Sequence, residues 1–363
     1  VPVQVVYKDI VTRPNEILEV CQAANDAPNC IGLICWMHTF SPAKMWIAGL
    51  NALQRPFMHL HTQFSCDLPW GEIDMDFMNL NQSAHGGREF GYICARIAKP
   101  RKVIVGHWQD SAVEHQLAAW MRAAIALREM RNLRVARFGD NMRQVAVTEG
   151  DKVDAQIRLG VEVHGYGIGD LVERIQAADD GAINDCMAEC DEQYEMTGSL
   201  KPGGPQRGAL REACRCELGL REFLEEVGAT AFTDTFEDLH GLVQLPGIAV
   251  QRLMADGYGF GAEGDWKTAA LVRVLKAMST GTAGGTSFME DYTYHFAPDD
   301  SKVLGAHMLE VCPSLSADTP SCEIHPLGIG GKDDPVRLVF TGSNGPAINV
   351  AMLDMGDRFR MLV

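Results

Sequence analysis

The sequence predicts an α/β protein in which two parallel-sheet domains precede a mostly antiparallel β domain. Two observations support this fold class. Up to Gly284-Gly285, short apolar segments alternate with helical patterns, which is typical of strand–helix–strand units. Beyond that pair, strand-like segments follow one another and are separated by turn residues. The chain has 363 residues, 46% of them hydrophobic, which is enough to form more than one core.

We place the first domain at residues 1–133. Four short segments rich in β-branched and aromatic residues predict its strands: VQVVYKDIV, CIGLICWMH, PFMHLHTQF and KVIVGHW. Helical patterns lie between and after them, in SPAKMWIAGLNAL and in the longer SAVEHQLAAWMRAAIALREMRNL. This alternation predicts βαβ units on a parallel sheet.

We place the second domain at residues 134–286 and the third at residues 287–363. The second contains LRVARFGDN, VEVHGYGIGDLVERI, two helices near residues 180–196 and 206–227, AVQRLMADG and DWKTAALVRVLKAMST. In the third, TSFMEDYTYHF, KVLGAHMLEV, VRLVFTGSNGPAINVAML and RFRMLV are predicted as antiparallel strands. Asn344-Gly345 predicts a turn between two of these strands.

Composition argues against several classes of protein. The formal net charge of −16 disfavours a nucleic-acid binder, which normally presents a basic face. No apolar run is long enough to span a membrane and no signal peptide stands at the start, so we expect a cytoplasmic protein. The 11 cysteines are scattered, which favours reduced thiols over a disulfide framework. The pairs Cys186/Cys190 and Cys214/Cys216 lack the spacing of a zinc knuckle, so we interpret them as packing residues.

Glu263 lies in GFGAEG, which matches the dinucleotide-binding pattern G-x-G-x-x-G before a helix. A carboxylate inside that loop would repel a pyrophosphate at the helix N-terminus, so the pattern is weak evidence for a nucleotide. A glycine-flanked acid at the carboxyl end of a strand is better placed to meet another kind of ligand. The alternative is a helix-capping carboxylate, a role that Asp265 is also able to fill.

A second acid, Glu290, lies among aromatic residues in SFMEDYTYHF, where a buried carboxylate is costly unless its charge is compensated. Strand alternation places Glu290 and Tyr292 on one face and Asp291 on the other, without showing which face is interior. His307 follows in the apolar segment LGAHMLEV, where a hydrogen-bonded core histidine is the alternative. Two carboxylates and an imidazole suit manganese or magnesium, and carboxylates near such an ion are able to transfer protons.

Gln82 and His85 lie three residues apart in NLNQSAHGGREFG, on one face of a predicted helix and just before Gly86-Gly87. Polar side chains beside glycines suit a ligand rich in hydroxyl groups. A helix cap followed by a turn explains the same pattern. RFGDNMR is a similar polar loop after a predicted strand.

Distinctive segments run in order along the chain: HTFSPAKMWI, LPWGEIDMDFMNLNQSAHGGREFG, GHWQD, RFGDNMR, TFEDLHGL, LPGIAVQRLM, EGDWKTAAL, GGTSFMEDYTYHF, HMLEVCPS and LGIGGKDDP. They resemble segments of the L-arabinose isomerase family. The resemblance implies two Rossmann-like α/β domains and a C-terminal β-rich domain. It also implies an aldose–ketose isomerase that converts L-arabinose to L-ribulose, and D-galactose to D-tagatose, with Mn²⁺ or another divalent ion. The family forms homo-oligomers, expected to be hexamers, with active sites at subunit boundaries.

The resemblance also assigns roles to single residues. Glu263 and Glu290 match the family's metal-binding carboxylates, which are thought to move the proton during isomerisation, and His307 matches a metal-binding histidine. The matched residues on the sugar side are Gln82 and His85, donated by a neighbouring subunit, and the apolar Met142 and Phe236.

Two parts of the family pattern have no counterpart in this sequence. One is an N-terminal strand followed by a Ser-Gln-x-Leu-Tyr-Gly loop, and the other is a Gly-Gly-x-His-His segment that carries a second metal-binding histidine. We therefore expect the chain to belong to a longer molecule and its first and third domains to be incomplete. The alternative functions are an L-fucose isomerase-like enzyme, a non-catalytic sugar-binding fragment and a nucleotide-dependent oxidoreductase.

Overall fold

The structure is a computed structural model that describes all 363 residues. The chain divides into two compact units, Val1–Arg128 and Glu129–Val363. The predicted fold class is confirmed, because each unit contains a parallel sheet and the smaller antiparallel pairs lie toward the C-terminus. The division into three domains at residues 133 and 286 stays a prediction.

The first unit is built on a parallel sheet of three strands, in the order β1-β2-β3. Its elements in chain order are α1 (Pro14–Asp26), β1 (Leu33–Cys35), α2 (Ile47–Ala52), β2 (Phe57–His61), α3 (Met75–Leu80), α4 (Ser83–Arg96), β3 (Lys102–Val105) and α5 (Ser111–Arg131), the last of which runs past the unit boundary. A 3-10 turn over Ala43–Trp46 leads into α2. Phe57, Phe90 and Ile104 are fully or almost fully buried in the cores beside the sheet.

The strand predicted over residues 3–11 is wrong. These residues pair with no strand, and Val5, Val6 and Tyr7 are 64%, 62% and 77% exposed. A β-branched, apolar run forms a strand only where it finds a neighbouring strand and a surface to pack against. No neighbouring strand is available to this segment, although its last residue, Val11, packs against the core of the first unit.

The second unit contains most of the chain. Its elements in chain order are β4 (Arg134–Phe138), α6 (Lys152–Leu159), β5 (Glu162–Tyr166), α7 (Ile168–Ala177), α8 (Asp180–Gln193), β6 (Glu195–Met196), α9 (Arg207–Val227), β7 (Ala231–Asp234), α10 (Gly247–Ala255), β8 (Gly259–Phe260), α11 (Trp266–Ser279), β9 (Glu290–Ala297), β10 (Asp300–Ala306), β11 (Ser321–Ile324), β12 (Val336–Val339), β13 (Ala351–Asp354) and β14 (Phe359–Leu362).

A parallel sheet in the order β5-β4-β7-β8 forms the centre of this unit. Phe138, Phe232 and Phe260 lie on β4, β7 and β8 and are fully buried in one core. Phe223 of α9 packs edge-on against Phe138, with 5.1 Å between the ring centroids. The two inner strands, β4 and β7, carry polar as well as apolar residues, and their apolar side chains are buried.

The remaining strands form three small sheets. β11 pairs antiparallel with β12 and parallel with the short β6, while β9 pairs with β10 and β13 with β14 as antiparallel hairpins. The turn predicted at Asn344-Gly345 is therefore wrong as a hairpin connection, because β12 and β13 do not pair with each other. β12 pairs with the preceding strand β11 and β13 with the following strand β14, a choice that the turn signal at Asn344-Gly345 does not reveal.

None of the helices is both long enough and apolar enough to cross a membrane.

Candidate functional site

Three loops that follow strands of the central sheet are held together at its carboxyl edge. The loop after β4 is tied to the loop after β8, because the Met142 N–H donates to the Glu263 carbonyl oxygen at 3.2 Å. The Asn141 side-chain amide donates to the Gly264 carbonyl, also at 3.2 Å. The Gly264 N–H donates in turn to the Asp234 carbonyl oxygen at 2.8 Å, which ties in the end of β7. Parallel strands place their following loops at one edge, and this edge is where ligands of such sheets bind.

Gly264, the last glycine of GFGAEG, allows these loops to approach one another closely. Gly264 has a φ of +78°, and a Cβ built on it would lie 2.5 Å from the Asn141 Cα and 2.6 Å from the Asp140 carbonyl oxygen. Only glycine tolerates both the backbone conformation and the close approach. Asp265 caps α11 by accepting hydrogen bonds from the Lys267 and Thr268 N–H groups. The capping role therefore belongs to Asp265, and the Glu263 carboxylate is not used for it.

The Glu263 side chain lies partly buried at this edge. Its Oε2 atom is buried and has no hydrogen-bond partner. Burial, followed by the nearby charges of Glu310, Glu290 and Glu237, raises the pKa of Glu263 to about 7, although His307 opposes the shift. A buried carboxylate oxygen without a donor normally costs free energy unless a proton or a cation compensates it.

His307 directly follows β10 and is oriented by an acid. Its Nδ1 is hydrogen-bonded to the Glu310 carboxylate, and its ring lies 4.9 Å from the ring of Phe288, centroid to centroid. Burial disfavours the charged imidazole. The hydrogen bond and charge of Glu310, together with the charges of Glu290 and Glu263, outweigh that effect and raise the pKa of His307. The charges of Glu290 and Glu263, the two carboxylates that the sequence grouped with His307, therefore both act on its ring.

Glu290 is the first residue of β9 and pairs with Ala306, the residue before His307. The hairpin carries a bulge: Asp291 pairs with Gly305 and Thr293 with Leu304, which leaves Tyr292 as the extra residue. Strict alternation therefore does not continue through Tyr292. Both faces of β9 are exposed from Glu290 to Phe296, so the expected contrast between an interior acid and a solvent-facing acid is absent here.

Two acids of the site were not singled out from the sequence. Asp234 ends β7 and is buried, and burial together with the charges of Glu310 and Glu263 raises its pKa to about 8. Glu310 is buried as well and lies three residues after His307. The position of Asp234 at the carboxyl end of a parallel strand was the signal that could have identified it.

The charges of Glu310, Glu290 and Glu263 all act on the His307 imidazole and make its surroundings negative. Carboxylate oxygens and an imidazole nitrogen are a donor set that suits a divalent ion of the manganese or magnesium type. The unpartnered Glu263 Oε2 atom fits such an ion, because coordination would satisfy it. Glu290 is exposed, so the group is open on the side of the hairpin.

The remaining candidate residues fall in two places. Met142 and Phe236 are half-buried in the loops after β4 and β7, at the same edge as Glu263, and Phe236 packs against the main core. Gln82 and His85 belong to the first unit, where Gln82 precedes α4. His85 is exposed, and its ring contacts Phe40 at a centroid distance of 4.8 Å.

Comparisons with known proteins agree along the chain. Models of the L-arabinose isomerase N-terminal, central and C-terminal domains match residues 1–132, 134–281 and 285–363. L-arabinose isomerase from Flavobacterium johnsoniae is 63% identical over 363 residues, which is 100% of this chain and 72% of that protein. The Herpetosiphon aurantiacus enzyme is 62% identical over 362 residues, with 100% of this chain and 72% of that protein covered. For the Geobacillus kaustophilus enzyme the identity is 60% over 362 residues, with coverages of 100% and 73%.

Proposed function

Because this chain belongs to the L-arabinose isomerase family, we propose that it interconverts L-arabinose and L-ribulose. The chain is thus an aldose–ketose isomerase. The observation that carries the proposal is that Glu263, at the carboxyl edge of the central sheet, lies near enough to Glu290 and His307 for their charges to act on its carboxylate. One oxygen of this carboxylate is buried without a partner and the pKa of its carboxyl lies near neutrality.

The reaction moves a carbonyl group from C1 to C2 of the sugar. A base removes the proton from C2, an enediol forms, and a proton is delivered to C1 while the two oxygens exchange a proton. Glu263 and Glu290 are the proposed proton-transferring groups. In the metal-free protein, burial raises the pKa of Glu263 to about 7, so this carboxyl accepts a proton more readily than an ordinary glutamate does. Which of the two carboxylates takes the C2 proton stays open.

We further propose that Glu263, Glu290 and His307 hold Mn²⁺ or a similar divalent ion. Such an ion, when bound, would stabilise the negative charge that develops on the sugar oxygens. The chain contributes the ligands and their orientation. Glu310 fixes the imidazole ring through Nδ1 and leaves the other ring nitrogen available.

The sugar is proposed to lie against Met142 and Phe236, which are half-buried at the same edge. D-galactose presents the same aldehyde and adjacent hydroxyl group, so we propose its conversion to D-tagatose as a second activity. Opening of the cyclic sugar is assigned to His307 or His85.

We propose that a homo-oligomer, a hexamer by resemblance to the family, places Gln82 and His85 of one subunit at the site of another. Large apolar side chains of the first unit support an assembly, because Phe64, Trp70 and Leu80 are 73%, 81% and 71% exposed. A cytoplasmic location is proposed as well. All 11 cysteines are free thiols, as expected in a reducing compartment.

Turnover of L-arabinose and of L-fucose by the complete protein, each with saturating Mn²⁺, tests the proposed substrate. We expect ketose formation from L-arabinose to be at least about 100-fold faster than from L-fucose, because the proposed site is specific for one sugar. Faster turnover of L-fucose would assign the chain to the alternative isomerase. Sugar binding by calorimetry without any ketose formation would favour a non-catalytic module.

A further inference from the structure

Three buried cysteines meet between two helices of the second unit. Cys186 and Cys190 are four residues apart on one face of α8, and Cys214 reaches them from α9. The three Sγ atoms all lie within 4.8 Å of one another. The sequence had paired Cys214 with Cys216, but the structure separates them, because residues two apart on a helix point to different sides. Cys216 packs into the main core instead.

The spacing of the sulfur atoms matches what a metal ion requires. A Zn–S bond of about 2.3 Å, in tetrahedral or trigonal geometry, sets neighbouring sulfur atoms about 3.8–4.0 Å apart. Three sulfur atoms within 4.8 Å of one another reach this geometry through small side-chain adjustments. The thiols are 5%, 0% and 1% exposed at Cys186, Cys190 and Cys214, so their positions are set by the packing of the two helices.

A buried cation lies beside the cluster. The charge of the Arg252 guanidinium acts on both Cys186 and Cys190. Arg252 is buried and also contacts Glu217, with its Nε 2.7 Å from Oε2. A thiophilic cation would replace the thiol protons, and Arg252 would offset part of the charge of three thiolates.

An open cleft gives an ion access to the cluster. The cleft has a volume of about 460 Å³ and is lined by Cys186 together with Asp185, Glu189, Glu217 and Arg252, among other residues. Carboxylates at the mouth of a cleft attract cations. The Glu217 Oε2 atom lies 3.8 Å from the Cys186 Sγ atom, which places an oxygen donor on the open side of the three sulfur atoms.

From these observations we propose that Cys186, Cys190 and Cys214 form a binding site for one thiophilic metal ion of the Zn²⁺ class. The site shares no residue with the group around Glu263 and does not depend on the proposed isomerase function. Thiolates select such soft ions, whereas the carboxylate and imidazole donors around Glu263 suit harder ones.

Titration of the reduced, metal-free complete protein with Cd²⁺ tests the proposal. Cd²⁺ substitutes for Zn²⁺, and its bonds to thiolates produce a charge-transfer absorption in the ultraviolet that carboxylate sites do not produce. We expect this absorption to saturate at one equivalent of Cd²⁺ per chain and to disappear when one equivalent of Zn²⁺ displaces the Cd²⁺. Excess Mn²⁺ should leave it unchanged.

Variants identify the ligands. Cys214→Ala should weaken Cd²⁺ binding by more than the roughly 10–100-fold that is typical of losing an outer-shell partner, because a direct ligand is lost. Cys216→Ala, a buried cysteine on the same helix, and Glu263→Gln should retain the wild-type absorption. Circular dichroism checks that each variant folds. If Cys214→Ala does not fold, Cys186→Ala is measured in its place. Absence of the absorption in the wild type, or its persistence in the folded cysteine-cluster variant, would overturn the proposal.

Discussion

The carboxylate of Glu310 is hydrogen-bonded to Nδ1 of His307, and both side chains are only about one-tenth exposed, at 9% and 10%. A buried acid that holds one ring nitrogen fixes the orientation of the imidazole and increases the basicity of the other nitrogen. Histidine ligands of metal ions are held in this way in many proteins. His307 was a candidate from the sequence, whereas its hydrogen-bond partner Glu310 was identified only from the structure.

We predict that Glu310→Gln weakens Mn²⁺ binding by about 10–100-fold, because the imidazole loses the partner that orients it. Calorimetric titration of the metal-free protein with Mn²⁺ measures the change. Glu323→Gln is the matched control, since Glu323 contacts His325 at 2.7 Å on the surface. If both variants bind Mn²⁺ equally well, the positioning role of Glu310 is wrong.

Glu290→Gln should lower kcat/KM for L-arabinose by at least about 100-fold, because the amide neither accepts a proton nor carries the charge that a cation needs. The assay measures ketose formation by the complete protein with added Mn²⁺. Asp291→Asn, the neighbouring exposed acid of β9, should stay within a few-fold of wild type. Activity of Glu290→Gln close to that of wild type would contradict the proposed catalytic role of Glu290.

The contribution of Asp234 to the stability of the metal-free protein should fall as pH rises from about 4 to about 8. Asp234 has a folded-state pKa raised from 3.8 to about 8, so the folded state binds more protons than the unfolded state in this window. This contribution to the free energy of unfolding therefore decreases as the pH increases. Asp234→Asn should flatten this decrease, as measured by urea denaturation at several pH values. Asp291→Asn should leave the slope unchanged, and an equal slope in the Asp234→Asn variant would contradict the prediction.

Gly264→Ala should lower the free energy of unfolding more than a change in φ alone explains. The added methyl group would lie 2.5 Å from the Asn141 Cα in addition to occupying a φ of +78°. Gly281→Ala isolates the second effect, because Gly281 has a φ of +74° and no atom within 4 Å of its Cβ position. We expect about 1–2 kcal/mol of destabilisation for Gly281→Ala and a further 1 kcal/mol or more for Gly264→Ala. Equal losses in urea denaturation would mean that the loop relaxes around the new side chain.

Local patterns predicted much of the fold because short segments rich in β-branched and aromatic residues alternate with helical patterns. The segments around Phe138 and Tyr166, placed in the second α/β domain, form β4 and β5, whereas α6 between them was not predicted. The choice of pairing partner for each strand was not predictable in the same way. Residues 3–11 have strand composition without a partner, and the strands on either side of Asn344-Gly345 pair elsewhere.

The sequence by itself determined the α/β class, the glycine-rich loop around Glu263 and the unusual settings of Glu290 and His307. All of these are properties of neighbouring residues. Only the tertiary structure decided that Asp234 and Glu310 join the acids around His307, and that Cys214 joins a pair on another helix. Burial and through-space charge set the protonation of these groups, and both depend on segments that are far apart in the chain.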